Sequence, residues 1–89
     1  MTTVKYLLKY TRLIIPKCQQ SRALGIERSL YEGAPYTSIG GQRVHSQPEL
    51  IRFRLGTHWR LLFLYTKEGF EAYRLITRQS FDVELRRRR

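Results

Sequence analysis

The chain is poor in several residue types on which common mechanisms depend. Cysteine occurs once, as Cys18, in 89 residues, so an intramolecular disulfide cannot form and a cysteine-rich zinc site is excluded. A lone cysteine fits a reducing, intracellular setting. Histidine occurs twice, as His45 and His58, and carboxylates number only seven. These are scattered as Glu27, Glu32, Glu49, Glu68, Glu71, Asp82 and Glu84 with no HExxH or DxD arrangement, which points away from a metal enzyme. Long apolar runs are missing too, since nothing approaches the ~18 consecutive apolar residues of a membrane-spanning helix. In the N-terminal stretch MTTVKYLLKYTRLIIPK the apolar residues are interrupted by Lys5, Lys9 and Arg12, which argues against a signal peptide. The expectation is a soluble, cytoplasmic protein that works without a cofactor or a metal.

Positive charge is the abundant feature. Lys and Arg total 17 against seven Asp and Glu, a formal net charge of +10. Self-repulsion on that scale opposes compaction, and a polyanionic partner relieves it. Nucleic acid or a nucleic-acid machine fits best, ahead of an anionic membrane surface and an acidic protein. The 42% of apolar residues, 12% aromatic overall, are enough for a folded core, and the length allows one domain over residues 1–89.

The order of elements follows from periodicity. Residues Thr2 to Ile15 are ambiguous: Val4, Tyr6, Leu8 and Tyr10 alternate as in a strand, while Leu7, Leu8, Leu13 and Ile14 also suit a helix. Their β-branched and aromatic content tips the reading to a strand ending at Pro16. Lys17 to Tyr31 places Cys18, Ala23, Leu24, Ile26 or Glu27, and Leu30 or Tyr31 on one helical stripe, with Gly33 and Pro35 as the stop. Residues 33–48, rich in Gly and Pro, read as a long loop with a short strand at Tyr36 to Ile39. After Pro48 the pattern becomes three strands. Ile51, Phe53 and Leu55 share one face and Arg52 and Arg54 the other; Gly56-Thr57 breaks the run. Trp59 to Tyr65 suits a strand buried on both faces, and Lys67-Glu68-Gly69 is a hairpin turn. Phe70 to Thr77 returns antiparallel, with Tyr73, Leu75 and Thr77 on one side and Arg74, Ile76 and Arg78 on the other. The fold class is therefore α+β: a small antiparallel sheet of about four strands packed on one or two helices. Arg86 to Arg89 read as a flexible, solvated tail.

The strand arginines are the candidate site. Arg52, Arg54, Arg60, Arg74 and Arg78 lie on neighbouring antiparallel strands, where guanidiniums about 5 Å apart repel unless an anion sits among them. Arginine pairs bidentately with phosphate through its planar fork. The plainer alternative is a solvated outer face whose stems cover apolar surface. His58, at a strand start beside these cations, is a candidate proton acceptor or a turn residue without a task. His45, in the Gly-rich loop, carries no stronger indication. The six tyrosines and Trp59 suit base stacking or, more simply, core and rim packing.

From Leu50 to Arg86, LIRFRLGTHWRLLFLY followed by a hairpin and AYRLITRQSFDVELRR resembles the C-terminal half of the RelE/ParE toxin superfamily, through Arg52, Arg54, Gly56, Arg60, Arg78, Asp82 and Val83. The resemblance implies a toxin that binds RNA at the ribosome and acts as a metal-independent mRNA endoribonuclease, as RelE-like members do. Arg60, Arg78 and His58 would be catalytic and Arg52 and Arg54 would bind nucleic acid; charge and strand position, apart from the resemblance, add Arg74, Arg86 and Arg87 to the nucleic-acid contacts, and an acidic antitoxin would be the protein partner. The alternative it implies is a non-catalytic basic protein that binds a nucleic-acid enzyme, as ParE-like members do with DNA gyrase, or packs into a larger assembly. The C-terminal tyrosine of many ribonuclease members has no counterpart, because Glu84 stands in its place.

Overall fold

The computed structural model describes residues 2–87 and, within the last helix, the side chains of residues 78–81, 83 and 86. It is a four-stranded antiparallel meander with helices on both faces: α1 (Val4–Tyr10), α2 (Lys17–Tyr31), a 3₁₀ turn (Tyr36–Ile39), β1 (Gln42–Val44), β2 (Gln47–Leu55), β3 (Trp59–Thr66), β4 (Gly69–Thr77) and α3 (Arg78–Arg87), with the strands in the order β1-β2-β3-β4. The α+β class and the strand count agree with the sequence reading, but the first strand of the sheet comes from a different place.

Residues 4–10 form a helix, not a strand. The hydroxyl of Thr3 caps it by accepting from the Tyr6 N–H at 3.1 Å, and Val4, Leu7 and Leu8 recur at helical spacing on the side that meets the core. Tyr6 and Tyr10, the apolar half of the supposed alternation, are exposed and pack on each other one turn apart at 4.7 Å. The N–H of Val4 donates to Glu27 Oε2 at 3.0 Å and that of Thr2 to Glu71 Oε1 at 2.9 Å. Those bonds tie the start of the chain to α2 and β4. One first-turn amide and the amide just before the N-cap gain acceptors from distant carboxylates, a tertiary contribution invisible to local periodicity.

The helix α2 falls where the stripe predicts and buries Ala23, Ile26 and Leu30, while Cys18, Leu24 and Tyr31 remain exposed. Its end is a Schellman motif: Ala34 N–H donates to Ser29 O at 3.0 Å and Gly33 N–H to Leu30 O at 3.1 Å, with Gly33 at φ 94. The segment read as a long loop is more ordered than expected. Tyr36–Ile39 is a 3₁₀ turn instead of a strand, and Gln42–Val44 supplies β1, paired to β2 with Gln42 opposite Arg52 and Arg43 opposite Ile51.

The sheet separates its side chains as strand geometry requires. Ile51, Phe53 and Leu55 of β2, Leu61 and Phe63 of β3, and Ala72 and Leu75 of β4 join Val4, Ile15 and the buried residues of α2 in one core; Phe53 and Phe63 meet edge-to-face at 5.6 Å. Strict alternation fails in β4. The register between β3 and β4 shifts after Leu62, which pairs with Arg74 while Phe63 pairs with Ala72. Tyr73 is therefore the extra residue of a β-bulge, and Ala72 and Leu75 both turn inward. On the opposite face Leu50 and Leu62 are also fully buried, and α3 lies on that side, with the Phe81 ring 5.7 Å from the Arg52 guanidinium carbon. The helix α3 includes Arg86 and Arg87, which the sequence reading assigned to an extended tail; the last two arginines lie outside the described residues.

Candidate functional site

The outward face of β2 and β3 gathers cations where the two strands turn. Arg54 and Arg60 are direct cross-strand partners, a placement in which like charges repel. Arg78 joins them as the first residue of α3, fixed by its N–H donating to His58 O at 2.8 Å. With Gly56 and Thr57 the three arginines line a cleft of about 180 Å³. Gly56 holds φ 65, and a Cβ there would approach Gln19 Nε2 to 3.0 Å, so the tight turn between β2 and β3 favours glycine.

Arg60 is the unusual member. Only 7% of it is exposed, and its Nη1 donates to its neighbour's carbonyl, Trp59 O, at 2.8 Å. Burial lowers its pKa, and repulsion from Arg54, Arg52 and Arg78 lowers it further. The guanidinium nonetheless stays charged, because arginine's pKa lies far above neutrality. A buried cation is ordinarily paired. Among the described residues no carboxylate pairs with Arg54, Arg60 or Arg78, so an external anion is the counter-charge the site can accept. Its five-donor forks suit the planar or tetrahedral oxygens of phosphate.

The other expected site residues divide around this cleft. Arg52 is half-buried on the same strand face but lines a separate hollow, donating to Gln42 Oε1. His58 is exposed, meets Trp59 edge-to-face at 5.5 Å, and lines an adjoining cleft of about 310 Å³ with Thr57, Thr77, Arg78 and Gln79. It shares Arg78 and Thr57 with the arginine cleft but not Arg54 or Arg60. Arg74 is exposed one strand away, opposite Leu62, with its guanidinium 5.3 Å from the Tyr73 ring. Arg86 is exposed on α3; the side chains of Arg87, Asp82 and Glu84 lie outside those described. One cation escaped the sequence reading: Arg22 of α2, whose Nε donates to Arg54 O at 3.3 Å. Nothing in the periodicity of α2 marks it, since its role depends on where the helix docks.

Among the described residues no group of three or more His, Cys, Asp or Glu is assembled that could hold a metal ion, and no helix is long and apolar enough to cross a membrane.

A small basic α+β domain whose arginine cleft has no carboxylate among the described residues defines a class of architecture and not yet a family. The family follows from comparison. A family model for the ParE-like toxin domain matches residues 17–83, from the start of α2 into α3, and the chain belongs to that family of toxins. No curated protein and no solved structure gives a significant match.

Proposed function

We propose that the protein is a toxin that binds RNA by its phosphates, with Arg54, Arg60 and Arg78 as the grip. The observation that carries this reading is the buried guanidinium of Arg60 between two further arginines, with no carboxylate beside it among the described residues. Phosphate contacts position a nucleic acid without reading its sequence, and three such contacts make affinity strongly dependent on salt. If the bound phosphodiester is cleaved, the neighbouring 2′-oxygen attacks phosphorus, the bond to the 5′-oxygen breaks and that oxygen takes a proton from water, while Arg60 and Arg78 offset the negative charge that develops on the phosphate oxygens. His58, which lines the adjoining cleft and shares Arg78 with this one, is then our candidate to take the 2′-hydroxyl proton. An acidic antitoxin is the protein partner that fits a toxin of net charge +10.

One observation favours a second reading. No described imidazole or carboxylate lines the arginine cleft itself, so a non-cleaving toxin that uses the same cations to inhibit a nucleic-acid enzyme, as ParE-like members inhibit DNA gyrase, also fits. A single panel separates the two: RNA binding, RNA cleavage with and without ribosomes, and gyrase supercoiling, each with wild type and Arg60→Ala. RNA binding that weakens in the variant supports the first reading. Undiminished RNA binding by Arg60→Ala rules out the grip, and gyrase inhibition without RNA binding replaces it with the second.

A further inference from the structure

Arg52 stands two residues before Arg54 on the same side of β2, about 7 Å along the strand, yet it belongs to a different hollow. That hollow has a volume of about 170 Å³ and lies between the β1–β2 hairpin and α3, bounded by Gln42, Arg43, Val44, His45, Arg52 and Phe81. The Arg52 guanidinium uses one nitrogen on the amide oxygen of Gln42, its cross-strand partner, and has the Phe81 ring 5.7 Å from its carbon. Among the described residues its guanidinium has this one hydrogen-bond acceptor for five N–H donors. No carboxylate pairs with it among the described residues. Burial, and then the charge of Arg54, lower its pKa, the same pattern that marks Arg60 in the neighbouring cleft.

We infer that the hollow between the β1–β2 hairpin and α3 is a second phosphate subsite, in which Arg52 and His45 hold the phosphate next to the one gripped by Arg60. The inference rests on the RNA reading above and adds the substrate class: a single strand with consecutive phosphates. From the Arg54–Arg60 pair to the Arg52–Gln42 pair the path runs about 7 Å along β2 and about 5 Å across to β1. That is the scale of one step between neighbouring phosphates on an extended strand. Each cavity, about 170 and 180 Å³, is of a size for a phosphate group with part of its sugar. Arg54 stands between the two and repels Arg52 and Arg60 alike; a chain with an anion in each hollow neutralises both repulsions at once. A free phosphate or a mononucleotide answers only one of them. His45 is exposed at the hairpin end, and its ring N–H, with the amide of Gln42, supplies donors where Arg52 alone would leave phosphate oxygens unsatisfied.

The test uses the full chain and short single-stranded oligoribonucleotides in which one internal phosphodiester at a time is replaced by a neutral methylphosphonate, with binding followed by fluorescence anisotropy. Wild type should lose about tenfold in affinity at each of two adjacent positions, as expected for losing a charge-assisted contact. Arg52→Gln should be weakened on the natural strand yet indifferent to replacement at one of those positions. Arg60→Gln should be indifferent at the adjacent one. His45→Ala, a change at an exposed turn residue that spares the core, should reproduce the Arg52→Gln pattern in weaker form. If Arg52→Gln and His45→Ala stay as sensitive as wild type at every position while Arg60→Gln does not, the second subsite is overturned and the RNA reading stands. If Arg60→Gln binds the natural strand as wild type does, the RNA reading itself fails.

Discussion

The two faces of the same sheet are built from the same strands and behave as different materials. Toward α2, Ile51, Phe53 and Leu55 interlock with Leu61, Phe63 and Leu75, all with less than a tenth of their surface in contact with water. Toward α3, the intervening positions hold two fully buried leucines, Leu50 and Leu62, and then arginines: Arg52, Arg54 and Arg60. The first face gains stability from every contact. The second keeps guanidiniums beside one another with no described carboxylate among them at Arg54, Arg60 and Arg78, an arrangement in which like charges repel and the packed face has to supply the stability. Period-two alternation lets one strand serve both demands, since changing a residue on one side leaves the other side's packing in place.

The largest effect should come from the packed face. Truncating Phe63 to Ala removes a ring that is fully buried and edge-to-face with Phe53, at a cost of about 3–5 kcal/mol. For a domain of this size that is a large share of total stability. Urea denaturation followed by circular dichroism should show a midpoint shifted far down or no cooperative transition. A midpoint close to wild type would mean that the core face is not what carries the fold.

On the cationic face the same kind of truncation should separate stability from binding. Arg60→Met removes a buried charge that no described carboxylate pairs and keeps most of the volume, so folding no longer bears the cost of desolvating that charge. The denaturation midpoint should hold or rise, while RNA affinity falls by about tenfold or more. A variant that lost both together would show that Arg60 is a structural residue and break the contrast between the faces.

At the hinge between the faces, Gly56→Ala forces a side chain into a left-handed backbone conformation and toward Gln19 Nε2. A loss of about 1–2 kcal/mol is expected, with weaker RNA binding in proportion to the disturbed β2–β3 turn. Unchanged stability would place the turn's conformation outside the site's requirements. The smallest effect belongs to Ile14, 92% exposed between α1 and α2. Ile14→Ser should stay within about 0.5 kcal/mol of wild type, and a larger loss would reveal a contact of that residue outside this chain's own fold.

Residue by residue, the sequence was legible where one local period was unopposed. The alternation in IRFRL placed Phe53 and Arg54 on opposite faces correctly, and the stripe over Lys17 to Tyr31, with Gly33 beyond it, marked α2 to its ends. It failed where two periods competed. Val4, Tyr6, Leu8 and Tyr10 satisfy a strand, but the first-turn amides of α1 find Thr3 and Glu27 as acceptors and Val4 finds the core. It also failed at Tyr73, because a bulge adds a residue that alternation cannot foresee. For the site, the residue types were readable and their grouping was not: His58 was adjacent in sequence to Trp59-Arg60 and yet lines the neighbouring cleft, while Arg22, thirty-two positions from Arg54, reaches that strand's backbone.

What the sequence determined by itself was therefore the α+β class, the separation of apolar and cationic faces along β2, and a strongly positive net charge, because these depend on composition and on the two-residue repeat of an extended chain. Only the tertiary structure decided which arginines share a cavity. Convergence of Arg54, Arg60 and Arg78 requires the register of β2 on β3 and the start of α3 beside the His58 carbonyl, and the separation of Arg52 from them requires the β1 hairpin and Phe81 to close around it. These are contacts between segments far apart in the chain, set by the packing of the whole domain and by no local preference of the residues that make them.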